Sequence, residues 1–148
     1  MHWRAIFQDQ SVGSQTTKRQ VSNYFTANLT LCYRVVVVLE SRVYVYNFAD
    51  LRLIDAIDTC SNPKGLCALN PDGKNAVLCT PASQKGFVRV ALYHETNTNT
   101  SFKAHDNMID AMALTNDGTI LVTASEVGTI FRLFFTNQKG STGPTQPF

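Results

Sequence analysis

The chain has 148 residues, of which 44% are hydrophobic and 16% charged, so we expect one folded domain with a core. The net charge of +2 is too small to indicate nucleic acid as a partner, and we predict none. The four cysteines form no CxxC pair, so we predict neither a zinc site nor a cofactor. No secretory signal is expected, and the longest apolar run, Val35–Leu39, is far too short to span a membrane.

The first predicted strands follow an irregular N-terminal segment. Within residues 1–34, the stretch 8–23 is predicted to be loop or disordered, whereas 24–33 could pair as an extra strand. Order is predicted to begin at Val35, and β-branched and aromatic runs indicate strands at 35–39, 43–48 and 51–58.

Two further sets of strands follow a turn at residues 61–65, where Pro63 and Gly65 disfavour regular structure. The second set is predicted at 66–70, 75–80, 87–92 and 101–104, with a polar surface loop at 93–100. The third set is a meander with strands at 112–114, 120–124 and 130–134. The Gly- and Pro-containing end, 136–148, is predicted to be a disordered tail, so the folded domain is assigned to residues 35–135.

An internal repeat relates these sets. Residues 69–73 align with 114–118 after a shift of 45, and 85–90 align with 127–133, which is one residue longer, after a shift that starts at 42. Four-stranded WD-type propeller blades repeat at this period. With strands lettered A to D from the centre outward, the first repeat has B, C and D, the second has all four, and the third has A, B and C. We therefore predict an all-β fold, a partial WD-type β-propeller of about three blades, one complete and two incomplete.

Three blades cannot close a ring, because propellers typically close with about four to eight blades. Each end should then expose apolar surface and unpaired strand backbone. We expect the chain alone to be marginally stable, or to need a partner or self-association.

Residues 35–134 resemble the PROPPIN family of WD-repeat propellers. The resemblance rests on VVVVLESRVYVYNFADLRLI, SNPKGLCAL, KGFVRV and AHDNMIDAMALTNDGTILVTASEVGTIFRLF. It implies a seven-bladed, non-enzymatic scaffold of autophagosome assembly that binds phosphatidylinositol 3-phosphate and 3,5-bisphosphate through two pockets on the rim. It further implies autophagy proteins as partners and a cytoplasmic protein, peripheral on autophagosome precursor or endosomal and vacuolar membranes.

The Arg-Arg-Gly motif that serves both pockets in this family is absent, since the chain continues after Phe134 as FTNQKG. A hydrogen bond to a charged group contributes about 1.5–3 kcal/mol, so losing two arginines would cost roughly two to four decades in affinity. We therefore expect impaired lipid binding. Residues 1–34 are also expected not to match the family, and these departures at both ends suggest a fragment, an alternative transcript or a faulty gene model. The alternative function is a WD-repeat fragment that binds protein and no lipid.

By resemblance, His105, Ser125 and Thr129 line the first headgroup pocket, where hydroxyls and an imidazole can donate to phosphate oxygens. The competing interpretation is structural: a histidine before strand A often ties a blade together by hydrogen-bonding a hydroxyl on strand B, here Thr123 or Ser125. A catalytic triad from Ser125, His105 and Asp106 is improbable, because no nucleophile elbow is present.

Other polar residues have structural interpretations that we prefer. Arg89 and Arg132 occupy equivalent strand positions and are expected to face solvent or pair with an acid rather than bind phosphate. The turn lysines 64, 85 and 103 are expected to be solvated charges. The aromatic run of Tyr44, Tyr46 and Phe48 is expected to pack between blades rather than to form a recognition stripe.

Overall fold

The computed structural model describes residues 26–27, 34–70, 76–93 and 98–136, and in these residues the regular structure is entirely β. The strands are β1 Thr26–Ala27, β2 Arg34–Val38, β3 Arg42–Asn47, β4 Leu53–Asp58, β5 Ala68–Leu69, β6 Val77–Pro81, β7 Phe87–Leu92, β8 Thr98–Lys103, β9 Ile109–Leu114, β10 Ile120–Ser125 and β11 Phe131–Phe135. They form three antiparallel sheets in the order β1-β2-β3-β4, β5-β6-β7-β8 and β9-β10-β11. The predicted all-β class and the three blades are confirmed.

The first sheet has one strand more than the repeat indicated. Thr26 pairs with Val38 and Ala27 with Val37, so β1 adds a fourth strand within the stretch 24–33 that could pair. Two of the three sheets in the described chain therefore have four strands, where the sequence tally gave one. A two-residue strand is too short to leave a periodic signal in the sequence, which explains why the repeat indicated only three strands for the first sheet.

Strand β8 begins at Thr98, inside the stretch predicted to be a loop. It pairs with β7 from Leu92–Thr98 to Phe87–Lys103 and is exposed along almost its whole length. An outer strand of this kind buries neither face, so its composition is polar and lacks the alternation that identifies a strand. The predicted disordered stretch 8–23, most of the predicted tail and the turn containing Gly73 lie outside the described residues.

Within the part of the chain that the structure describes, the core consists of two layers, one at each contact between sheets. The first layer packs β-branched side chains of the first sheet against the second sheet: Val36, Val38, Val43, Val45 and Ile57 against Ala76, Leu78, Ala91 and Tyr93. The second layer packs the other face of the second sheet against the third: Ala68, Val77, Cys79, Val88 and Val90 against Ile109, Leu121 and Phe134. Strand β6 is buried at every position, because both faces of its sheet are covered.

The aromatic run in β3 does not pack in this core. Val43 and Val45 point into the first layer and are fully buried, whereas Tyr44 and Tyr46 lie half-buried on the opposite face. Phe48, in the turn after β3, is 53% exposed. The expectation of packing between blades was therefore wrong for Phe48, and within the described residues no sheet covers the two tyrosines.

Candidate functional site

The candidate site lies where the chain enters the third sheet, beside the turn between β6 and β7. The carbonyl of Gly86 in that turn accepts hydrogen bonds from the backbone N–H groups of Ala104 (2.9 Å) and His105 (3.0 Å). Gly86 has φ +75°, in the left-handed region that favours glycine. The second sheet thus holds the backbone of His105 in place before β9 begins.

The side chain of His105 ties the third sheet together. It is buried, with 4% of its surface exposed, and its Nε2 lies 2.9 Å from the Thr123 hydroxyl on β10. Of the two hydroxyls that could serve this purpose, the structure uses Thr123, which is itself fully buried. The structural interpretation of His105 is therefore confirmed.

The pKa of His105 is lowered from its ordinary value, chiefly because burial disfavours the charged ring and secondarily because the Arg132 guanidinium is near. The imidazole is consequently neutral near pH 7. It can accept or donate one hydrogen bond to a neighbour, but it does not supply the positive charge that a partly protonated histidine would bring to a phosphate.

Ser125 and Thr129 lie at the same end of the third sheet as His105, because β9 begins and β10 ends there. Ser125 is the last residue of β10 and is half-buried, whereas Thr129 is exposed in the turn before β11. The Ser125 carbonyl accepts the N–H of Gly128 at 2.9 Å, which closes that turn. The two hydroxyls are therefore nearer the surface than the imidazole, and headgroup binding by the three residues stays a prediction.

Arg89 and Arg132 make contacts between sheets. The guanidinium of Arg89 forms an ion pair with Asp55 of the first sheet at 3.2 Å, as the pairing interpretation predicted. Arg132 donates to the carbonyl of Ala104, so its partner is backbone of the second sheet rather than an acid. Both groups already have protein partners, which supports the expectation that neither is reserved for phosphate.

The lysines near the site are exposed, as predicted, but each faces an acid. Lys103 is 2.7 Å from Asp106, and Lys85 is 4.0 Å from Glu126 across the contact between the second and third sheets. Lys64 pairs with Asp110 of β9 in the same way. Pairs this exposed contribute little to stability because solvent screens them, and they partly neutralise the positive charge that an anionic ligand would meet.

Acid is expected to destabilise the fold through His105. Between its lowered folded pKa and the ordinary value of 6.5, the unfolded chain binds a proton that the folded chain does not. The free energy of unfolding should therefore fall as the pH drops below about 6.5, by at most about 1.4 kcal/mol per pH unit. Urea unfolding of the wild type and of His105→Gln at pH 7.5 and pH 5.5 measures the effect. Equal losses in both proteins would show that His105 is not responsible.

The three packed antiparallel sheets, and the hydrogen bond of His105 with Thr123 within the third, define the class of protein as a WD-type β-propeller. The model of the PROPPIN family matches residues 13–141, and the chain belongs to this family. The match begins at residue 13, so the expectation that residues 1–34 fail to match the family was wrong for residues 13–34. The family is a family of scaffold propellers, not of enzymes.

Curated relatives include autophagy-related protein 18 of Dictyostelium discoideum, 36% identical over 76% of this chain and 31% of its own length. Autophagy-related protein 18e of Arabidopsis thaliana is 44% identical over 68% of this chain and 26% of its own length. WD repeat domain phosphoinositide-interacting protein 2 of Xenopus laevis is 36% identical over 78% of this chain and 28% of its own length. The chain thus spans less than a third of the length of these relatives.

Among solved structures, Hsv2 of Kluyveromyces lactis superposes with a TM-score of 0.65 at 19% identity, covering 89% of this chain and 40% of that one. The complex of KlAtg21 with the coiled coil of AgAtg16 gives 0.63 at 22% identity, covering 85% and 42%. These likenesses establish the propeller fold, and their coverage is that expected for about three blades of a larger ring. Among the described residues, no helix has both the length and the apolar character needed to cross a bilayer.

Proposed function

We propose that this chain is part of a phosphoinositide-binding scaffold of autophagosome assembly, with phosphatidylinositol 3-phosphate and 3,5-bisphosphate as the lipids. The observation that carries the proposal is the PROPPIN family match, which includes the whole third sheet and hence His105, Ser125 and Thr129. A relative in Xenopus laevis carries phosphoinositide interaction in its name.

The geometry supports a different proposed task for each of the three residues. Thr129 is exposed and Ser125 half-buried, so their hydroxyls are the groups that would donate to phosphate oxygens. His105 is buried and bound to Thr123, so its task would be to hold β9 and β10 in register beneath the pocket. The exposed Lys103 and Lys85, although paired with acids, would add weak attraction for an anionic membrane.

The same proposal includes impaired lipid binding by this chain. The family's Arg-Arg-Gly motif is missing after Phe134, and Arg132 is engaged with the Ala104 carbonyl instead of being free to replace it. The remaining contacts would be hydrogen bonds from neutral hydroxyls, which contribute about 0.5–1.5 kcal/mol each. Contacts of that size do not sustain stable membrane attachment without the arginines. The proposed location is the cytoplasm, with at most weak peripheral attachment to autophagosome precursor, endosomal or vacuolar membranes.

Liposome flotation tests lipid binding directly. Vesicles would carry phosphatidylinositol 3-phosphate, phosphatidylinositol 3,5-bisphosphate, or phosphatidylserine at matched charge as a control for non-specific attraction. We expect little or no protein to float with any of them. Strong retention on the phosphoinositide vesicles alone, lost in Thr129→Ala, would contradict the impairment and support the pocket.

The second candidate function is protein binding without lipid. Strand β11 is the outer strand of its three-stranded sheet within the described residues, and Phe131 on it is 65% exposed. The Atg21 protein of similar fold was solved with a coiled coil of Atg16, so autophagy proteins are the proposed partners. This function would be favoured if the chain did not float with any of the vesicles but did capture such a coiled coil.

A further inference from the structure

Two turns meet at the contact between the second and third sheets, beside the candidate headgroup site. The first turn joins β6 to β7 and contains Lys85 and Gly86, and the second turn joins β10 to β11. The Gly86 carbonyl accepts the backbone N–H groups of Ala104 and His105, so the first turn is held against the segment that enters the third sheet. Lys85 is therefore carried by a turn whose position relative to the third sheet is fixed.

Glu126 occupies the second turn together with the two hydroxyls proposed for headgroup binding. It directly follows Ser125, and its backbone N–H donates to the Met108 carbonyl at 3.0 Å. The N–H of Gly128 donates to the Ser125 carbonyl and closes the turn, and Thr129 is the next residue. The carboxylate of Glu126 is thus the negative charge nearest in sequence to both hydroxyls. A phosphate bound by those hydroxyls would be repelled by this carboxylate.

The ammonium of Lys85 lies 4.0 Å from Oε1 of Glu126. A hydrogen bond requires roughly 2.7–3.2 Å, so the two groups attract each other without bonding directly. Their side chains are 55% and 51% exposed, and solvent screens the attraction. Of the three lysines in the described residues, at positions 64, 85 and 103, Lys85 is the one whose acid partner lies beyond hydrogen-bond distance. Its ammonium therefore keeps its hydrogen-bonding capacity for a ligand.

We propose that Lys85 is a further headgroup-binding residue, and that Glu126 holds its ammonium until a phosphomonoester displaces the carboxylate. This inference rests on the proposed function, because Ser125 and Thr129 supply the hydroxyls that place the phosphate in the second turn. A phosphomonoester carries a charge of about −1.5 to −2 near pH 7 and three acceptor oxygens, so it attracts an ammonium more strongly than a carboxylate does. Lysine binds phosphate as a point charge on a flexible stem, so its side chain can turn from one anion to the other.

Glu126 then acts as an internal competitor for the site. Without its charge, the ammonium of Lys85 would face a bound phosphate unopposed, and the repulsion between carboxylate and phosphate would be absent. The pair therefore adds a second cause of weak lipid binding to the missing Arg-Arg-Gly motif. Glu126→Gln removes this second cause while leaving the first in place.

The test titrates the isotope-labelled full chain with inositol 1,3-bisphosphate, the soluble headgroup of phosphatidylinositol 3-phosphate. NMR follows the backbone amides of the turn between β10 and β11, where we expect weak but saturable shifts. Glu126→Gln should lower the dissociation constant about fivefold, and Lys85→Gln should raise it about fivefold. In the double variant, the gain from Glu126→Gln should shrink to about twofold, because only the repulsion between carboxylate and phosphate is then removed.

Lys64→Gln is the matched control. Lys64 is 58% exposed and pairs with Asp110 of the third sheet, as Lys85 pairs with Glu126, but it lies outside both turns. We expect this variant to change the dissociation constant less than twofold. A loss as large as that of Lys85→Gln would show a general effect of net charge and would overturn the proposal.

The remaining outcomes separate this inference from the proposed function. Saturable shifts with the same dissociation constant in the wild type, Lys85→Gln and Glu126→Gln would overturn the role of the pair and leave headgroup binding standing. No saturable shift in any of these proteins would overturn both. Inorganic phosphate, titrated in the same way, should bind at least fivefold more weakly than the headgroup, because it offers no inositol hydroxyls. Equal affinity for the two would overturn the assignment to a lipid headgroup.

Discussion

Replacing Gly86 with alanine is expected to lower the free energy of unfolding by about 3 kcal/mol. An alanine Cβ at this position would lie 1.9 Å from the carbonyl oxygen of His105 and 2.9 Å from that of Asn107. Both neighbours are backbone atoms, so the second sheet and the entry to the third must separate. The φ of +75° adds strain of about 1–2 kcal/mol for any residue other than glycine.

The matched control is Gly128→Ala. Gly128 occupies the equivalent turn in the third sheet and has φ +70°, but nothing lies within 4 Å of the point that an alanine Cβ would occupy, so only the backbone strain of about 1–2 kcal/mol is expected. Urea unfolding compares the two. In Gly86→Ala the pKa of His105, followed by NMR, should also move towards its ordinary value, because the ring loses part of its enclosure. Equal destabilisation by both variants would show that the close approach to His105 has no energetic consequence.

The strand pattern of the chain could be predicted because burial leaves a period in the sequence. Alternation in β3 and the repeat that aligns 85–90 with 127–133 are direct records of which side chains face the core. Periodicity did not identify β1 or the start of β8, and the reasons differ. Strand β1 is only two residues long, and β8 is exposed almost throughout. Neither leaves a periodic signal, although backbone pairing fixes both.

The candidate site was accessible to sequence reasoning only where its contacts lie within one blade. The hydrogen bond of His105 with Thr123 joins the segment before β9 to β10 of the same sheet and was among the predicted alternatives. The hydrogen bonds that the Gly86 carbonyl accepts connect the second sheet to the segment that enters the third. Sequence periodicity does not show which sheets pack together or which residues of the two sheets face each other. The alignment of Gly86 with Gly128 was a usable signal, since the repeat of a glycine indicates a turn that needs it. The close approach that distinguishes the two glycines required coordinates.

Replacing Asp55 with asparagine is expected to cost about 2 kcal/mol of the free energy of unfolding. One oxygen of Asp55 accepts from Arg89 at 3.2 Å and from the Tyr93 hydroxyl at 2.9 Å, joining the first sheet to the second. Burial raises the pKa of Tyr93, so its phenol stays protonated and keeps donating. Asparagine keeps the shape but loses the charge, which leaves the largely buried guanidinium of Arg89 without its counter-ion.

Asp58→Asn is the control, because Asp58 pairs with Arg42 at 2.6 Å in a bridge whose side chains are 47% and 66% exposed. Such a surface pair contributes little to stability because solvent screens it, so this variant should unfold nearly as the wild type does. A double-mutant cycle of Asp55→Asn with Arg89→Gln isolates the bond, and we expect a coupling of about 1 kcal/mol. A coupling near zero would mean that the apolar layer that includes Val45 and Leu78 holds the first two sheets together without help from the charged pair.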